Sequence, residues 1–170
     1  MSGIIGGGGS RSGLISYISS EPAFSASSGS GTACGNGSYT KITFNTEAYD
    51  EGGCYNNTAG TVTLNGISTP TYAFAPNVAG KYHITARVFL PDLADGAAYV
   101  VSIYKNDTAF ANVWSNQGGA QNICMPVLTD LVANGTSDYF SISIYHNDGD
   151  SLTSSTGTTW SQFSAFRITG

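Results

Sequence analysis

The sequence predicts an all-β domain of the sandwich or barrel class, and three observations carry that expectation. Apolar and polar residues alternate through residues 80–90, 99–105, 139–145 and 160–168, giving each segment one apolar face, as a half-buried strand requires. Turn signals separate most of these runs, Asn65-Gly66 and Asn106-Asp107 among them. The composition agrees, with 22 glycines, 12% aromatics and only 10% charged residues. No stretch competes as a long helix.

Taken in order, residues 1–22 stand apart from the rest. The run Gly6-Gly7-Gly8-Gly9-Ser10 cannot pack as an element, because glycine loses too much backbone entropy on ordering. Apolar groups nevertheless flank it, Ile4 and Ile5 before, Leu14 and Ile15 after, which a simple linker does not need. The segment reads either as a flexible tail or as an arm that orders on a partner or a neighbouring subunit. The globular part starts near Ala23, with a glycine-rich loop through Tyr39 and a strand over 40–44. Residues 45–60 read as a loop carrying Glu47, Asp50 and Glu51. Short strands are expected over 61–64, 71–76, 109–114 and 123–131, for about nine or ten in all. A chain of 170 residues is the size of one domain with a real core.

Charge narrows the functions. The net charge is −5, and the six basic residues (Arg11, Lys41, Lys81, Arg87, Lys105, Arg167) are scattered. A nucleic-acid binder needs clustered cations to displace counterions from phosphates, so that class is excluded, as is attraction to an anionic membrane. No segment approaches the length of a membrane span. The opening residues lack the basic and apolar regions of a signal peptide, so synthesis in a cytoplasm is expected.

Catalytic and metal chemistry find little support. No G-x-S-x-G elbow accompanies His83 and His146, so no hydrolytic triad and no catalytic residue is assigned. Asp148-Gly149-Asp150 and the Glu47, Asp50, Glu51 group offer oxygen ligands for calcium but read as solvated acidic loops. The cysteines Cys34, Cys54 and Cys124 have no C-x-x-C spacing, so no metal and no cofactor is expected. Cys34 and Cys54 lie close enough in sequence to pair, and free thiols are the preferred reading. Cys124, between Ile123 and Met125, reads as a buried small hydrophobe. Four N-x-S/T sequences, at Asn36, Asn56, Asn106 and Asn134, read as turn residues.

Several segments in order resemble the C1q/TNF-like jelly-roll family. They are residues 23–26, 42–45, the Tyr55-Asn56 loop, the run 74–84 with Pro76 and Gly80-Lys81-Tyr82, the hairpin 101–106, 137–142 and the closing strand 163–168. Ser137 and Ala165 stand where the family usually has Gly, and no collagen-like stalk accompanies the head, which argues against a complement-type role. The resemblance covers roughly residues 23–170. It implies a two-sheet antiparallel jelly roll of about ten strands and a homotrimer held by aromatic and aliphatic side chains. For that interface the candidates are Tyr82, Phe89, Phe140, Trp160, Phe163 and Phe166, shared with the core. Trp114 is the best candidate for a separate exposed contact, against an ordinary core position.

The first residues, Met1-Ser2-Gly3-Ile4-Ile5-Gly6, resemble the starts of structural virion proteins of tailed bacteriophages. The expected function is therefore non-enzymatic. It is a homotrimeric capsid cement or decoration protein of the virion, made in the host bacterial cytoplasm and docked on the major capsid protein or another virion protein through Ile4, Ile5, Leu14 and Ile15. The alternative is a receptor-binding head of a fibre that contacts host surface glycans through loops such as 115–121 and 147–158.

Overall fold

In the computed structural model, residues 21–116 and 118–169 are described, and they contain strands and no helix. The strands are β1 (Ala23–Ser27), β2 (Ala33–Cys34), β3 (Thr40–Lys41), β4 (Thr46–Glu51), β5 (Val62–Leu64), β6 (Ile67–Thr69), β7 (Gly80–Leu93), β8 (Ala98–Lys105), β9 (Thr108–Asn116), β10 (Gln121–Ala133), β11 (Phe140–His146), β12 (Leu152–Thr153) and β13 (Gln162–Thr169). Two antiparallel sheets form the sandwich, a five-stranded sheet in the order β10-β7-β13-β1-β4 and a four-stranded sheet in the order β3-β11-β8-β9. The pairs β12-β2 and β5-β6 stand beside them. The proposed arm, residues 1–22, lies almost wholly outside the described residues.

Alternation places the core. β7 buries Tyr82, Ile84, Ala86, Val88 and Leu90 and turns His83, Thr85, Arg87 and Phe89 the other way. β8 and β11 contribute Tyr99, Val101, Ile103, Phe140, Ile142 and Ile144 from the opposite sheet. At one end Phe24 stacks on Tyr55 at 4.3 Å and on Phe74 at 4.8 Å and meets the edge of Phe163 at 4.7 Å. Buried tyrosine hydroxyls all donate: Tyr55 to the Phe44 carbonyl at 2.7 Å, Tyr82 to Val78 at 2.7 Å, Tyr99 to Val88 at 2.9 Å. Each ring thus delivers its apolar area without an orphaned hydroxyl.

Turn chemistry sets the register. Asn106 and Asp107 both take positive φ, 49° and 60°, so the β8–β9 hairpin turns through two left-handed residues, whose twist matches the strands. Asn65 and Gly66 do the same between β5 and β6. The asparagines of the N-x-S/T sequences build turns as expected. Asn134 Oδ1, for example, accepts the backbone N–H groups of Thr136, Ser137 and Asp138.

Two expected boundaries shift. Residues 45–60 contain the strand β4, whose Thr-Glu-Ala-Tyr-Asp-Glu sequence is exposed almost throughout and has no apolar face to announce it. Residues 71–76 are not a strand. Tyr72 adopts φ 52°, and only Phe74 pairs, bridging Tyr55 and Phe140. The three cysteines are free. Cys54 donates to Asp50, and burial pushes the Cys34 thiol up to about 11, so it stays protonated at neutral pH.

Candidate functional site

The outer face of the five-stranded sheet carries most of the exposed large apolar side chains. Register fixes its rows. Cys124 lies opposite Phe89, Pro126 opposite Arg87, Leu128 opposite Thr85, Asp130 opposite His83 and Val132 opposite Lys81. On the other side of β7, Gln162 is opposite Arg87, Ser164 opposite Thr85 and Phe166 opposite His83. β1 continues these rows with Ser27, Ser25 and Ala23. Leu128 and Val132 are each 61% exposed and Phe166 is 50% exposed, with Ile168 and Trp160 only slightly less so. All but Trp160, which lies in the turn before β13, are strand residues held by regular pairing, so the face is pre-formed.

Polar groups interrupt the apolar rows at defined points. His83 Nδ1 lies 2.8 Å from Asp130 Oδ1, and its ring is 5.3 Å from Phe166. Arg87 Nη2 donates to the Thr158 carbonyl at 2.6 Å, while its Nε is closed from solvent with no hydrogen-bond partner. Arg87 lines a hollow of about 180 Å³ with Thr85, Ala86, Pro126, Gln162 and Ser164. A second cleft of about 440 Å³ runs between Lys81, Asp130, Leu131, Val132 and Ile168. β4 closes the sheet with an open edge carrying Glu47, Asp50 and Glu51. Burial and the adjacent Asp50 charge raise the Glu47 pKa.

The outer face of the four-stranded sheet is built differently. Its central strands present Ser102, Ser141 and Ser143, all buried. Tyr39 packs on Tyr145 at 5.3 Å and on Tyr104 at 6.0 Å. Trp114 and Phe110 sit on the edge strand β9, 60% and 51% exposed. Beside the β8–β9 hairpin, Asp138 accepts from Lys105 at 2.9 Å, Asn106 at 2.8 Å and the Asn134 N–H at 2.9 Å. Burial alone would raise the Asp138 pKa, but these bonds and the Lys105 charge outweigh it and lower it.

The expected interface residues divide. Tyr82, Phe140 and Phe163 are wholly buried within one subunit and have no surface to offer another. They are core residues, because their positions in β7, β11 and β13 fall on the inward side of the alternation. Phe89, Trp160 and Phe166 are on the outer face, where Phe89 and Trp160 pack together at 4.7 Å. Trp114 is at the surface. Cys124 is exposed, contrary to its expected burial: Ile123 and Met125 both point inward, and the residue between them must point out. Leu128, Val132, Ile168, Tyr39 and Arg87 were not singled out from sequence. Extending the alternation along residues 124–132 would have put Leu128 and Val132 on the face of Cys124.

Among the described residues, no three His, Cys, Asp or Glu side chains are grouped to hold a metal ion. Both Asp50 oxygens are taken, by the N–H groups of Cys54 and Tyr55, which gives this residue a turn-holding part. Asp148 accepts from the Ala94 N–H. No helix among the described residues is long and apolar enough to cross a membrane.

No protein-family model and no curated protein matches this chain. Solved structures do. The globular domain of a zebrafish complement 1qA protein aligns with TM-score 0.60 and 12% identity over 87% of this chain and 98% of that one. Murine APRIL aligns with TM-score 0.59 and 10% identity over 87% and 99%. The PRD1 vertex protein P5 aligns with TM-score 0.53 and 15% identity over 87% of this chain and 73% of that one. The chain has the C1q/TNF-like jelly-roll fold.

Proposed function

We propose that this protein is a non-enzymatic structural component of a virion, a homotrimeric capsid cement protein of a tailed phage. The observation that carries this reading is the outer face of the five-stranded sheet, where Leu128, Val132, Phe166 and Ile168 are exposed on rigid strands. Several large apolar side chains left open on one fixed sheet face mark a protein contact, so the face is a contact between copies. The fold shared with the PRD1 vertex protein P5 supports a virion setting. Residues 1–22 then form an arm that buries Ile4, Ile5, Leu14 and Ile15 against the capsid shell, three arms per trimer raising the effective concentration of each contact. The protein acts in the virion after synthesis in the host cytoplasm.

A second reading, a glycan-binding fibre head, is favoured by one observation, the exposed Trp114 and the Tyr39, Tyr104 and Tyr145 group on the opposite sheet. Aromatic faces of this kind suit sugar rings. Deleting residues 1–22 separates the two. The cement reading predicts a truncated protein that still trimerises and no longer binds capsids. A truncated head that decorates capsids normally would overturn the arm.

A further inference from the structure

Among the described residues, Arg87 is a cation without a counterion. Within that set no carboxylate lies within ion-pair distance of it, nor of the more exposed Lys81 on the same face, whereas Lys41, Lys105 and Arg167 each have one. It sits in the middle of the outer face, in the hollow bounded by Thr85, Gln162 and Ser164, with Nε sealed from water and unbonded. The guanidinium can donate to a carboxylate through its terminal nitrogens, of which Nη2 also holds the Thr158 carbonyl. Gln162 and the Thr85 and Ser164 hydroxyls add further donors around the hollow.

The same chain carries the complementary group. Most of its carboxylates already accept bonds inside the subunit. Glu47, Glu51, Asp92 and Asp150 show no such side-chain partner among the described residues. Asp92 lies at the end of β7 and Asp150 in the loop before β12. Glu47 and Glu51 lie on β4, the open edge of the sheet that holds Arg87, with the like charge of Asp50 between them. A cation brought to this edge would relieve that repulsion.

We propose that the Arg87 hollow receives a carboxylate from the β4 edge of a neighbouring copy, Glu47 or Glu51. The contact joins two different patches, so it is head-to-tail and can close into a ring. It rests on the homotrimer reading and specifies that reading's partner surface. The ion pair fixes the rotational register of the apolar faces, which alone would slide.

Sedimentation velocity of the full chain over a concentration series tests this, with circular dichroism and a thermal melt reporting folding. Arg87→Glu raises the concentration needed for half-assembly by about tenfold or more. Arg87→Gln, uncharged and milder, shifts it in the same direction. Adding Glu47→Arg or Glu51→Arg to Arg87→Glu brings assembly back toward the wild-type concentration. Arg87→Glu protein that is folded and assembles like wild type overturns the proposal while the homotrimer reading stands. Failure of both second substitutions to restore assembly overturns the assignment to β4. A monomeric wild-type chain defeats the homotrimer reading itself, and this inference with it.

Discussion

The two sheets of this sandwich have the same inner chemistry and opposite outer faces. Outside the four-stranded sheet the central positions are serines already buried, and the Tyr39 ring packs on those of Tyr145 and Tyr104. Its charged groups are matched internally, as Asp138 is by Lys105, Asn106 and the Asn134 N–H. Outside the five-stranded sheet Leu128, Val132, Phe166 and Ile168 project without a cover, and Arg87 has no counterion among the described residues. The first sheet covers most of its central outer positions itself, although the Ser102 hydroxyl has no hydrogen-bond partner among the described residues and Trp114 and Phe110 stay exposed on its edge. The second leaves apolar area and a charge to be completed from outside. Both faces obey the same two-residue period, so the difference lies in which side chains occupy the outward positions.

The sharpest way to break this contrast is to place a charge on each face. Leu128→Asp combined with Phe166→Asp should raise the dissociation constant of the assembly by about a hundredfold or more, since two large apolar side chains lose their burial. Trp114→Asp on the other face should leave it unchanged. Light scattering over a concentration series reads both, and equal effects would erase the distinction.

A subtler contrast concerns folding of the single subunit. Asp138→Asn should cost about 2 kcal/mol in urea denaturation, because charge-assisted bonds to Lys105 and the Asn134 N–H are lost. The Asp138 pKa is lowered in the folded protein. Its contribution is therefore fully present above the ordinary carboxylate value of 3.8 and disappears as pH falls through the lowered one. Wild type and Asp138→Asn should differ at about pH 6 and converge in strong acid. A difference that persists there would assign the loss to packing instead.

Tyr39→Ala should cost about 1 kcal/mol of subunit stability from lost ring contacts, with no change in assembly. A change in assembly would make the tyrosine group a contact between copies. The smallest effect is one of access. Cys34 and Cys54 are buried with raised pKa values, whereas Cys124 is exposed on the outer face beside Phe89. A thiol reagent should modify Cys124 alone in dissociated subunits, and more slowly in the assembly. Equal rates in the two states would leave the Cys124 end of the face outside the contact.

Much of this architecture was legible in the sequence because alternation and turn chemistry are local. Strands occupy the 80–90 and 99–105 segments and all but the first one or two residues of 139–145 and 160–168, and Asn65-Gly66 and Asn106-Asp107 are the hairpin turns expected. β4 was not legible, since an edge strand exposed on both sides has no pattern to read. The candidate interface was only half legible. Phe163 and Phe166, three residues apart on β13, must point to opposite sides of the sheet. Which side meets the other sheet depends on β1, β4 and β7, none of them local to that strand. For Trp114 the sequence left a core position and an exposed one both open, and it is exposed. The isolation of Arg87 was not, because a missing counterion is a property of the assembled sheet.

The central claim is that the outer face of the five-stranded sheet joins copies of this chain into a trimer. The mass of the purified protein in solution, by sedimentation equilibrium, addresses it most directly. The expected particle holds three chains of 17.6 kDa each. A particle of one chain, with the outer face open to solvent at the same concentration, would contradict it.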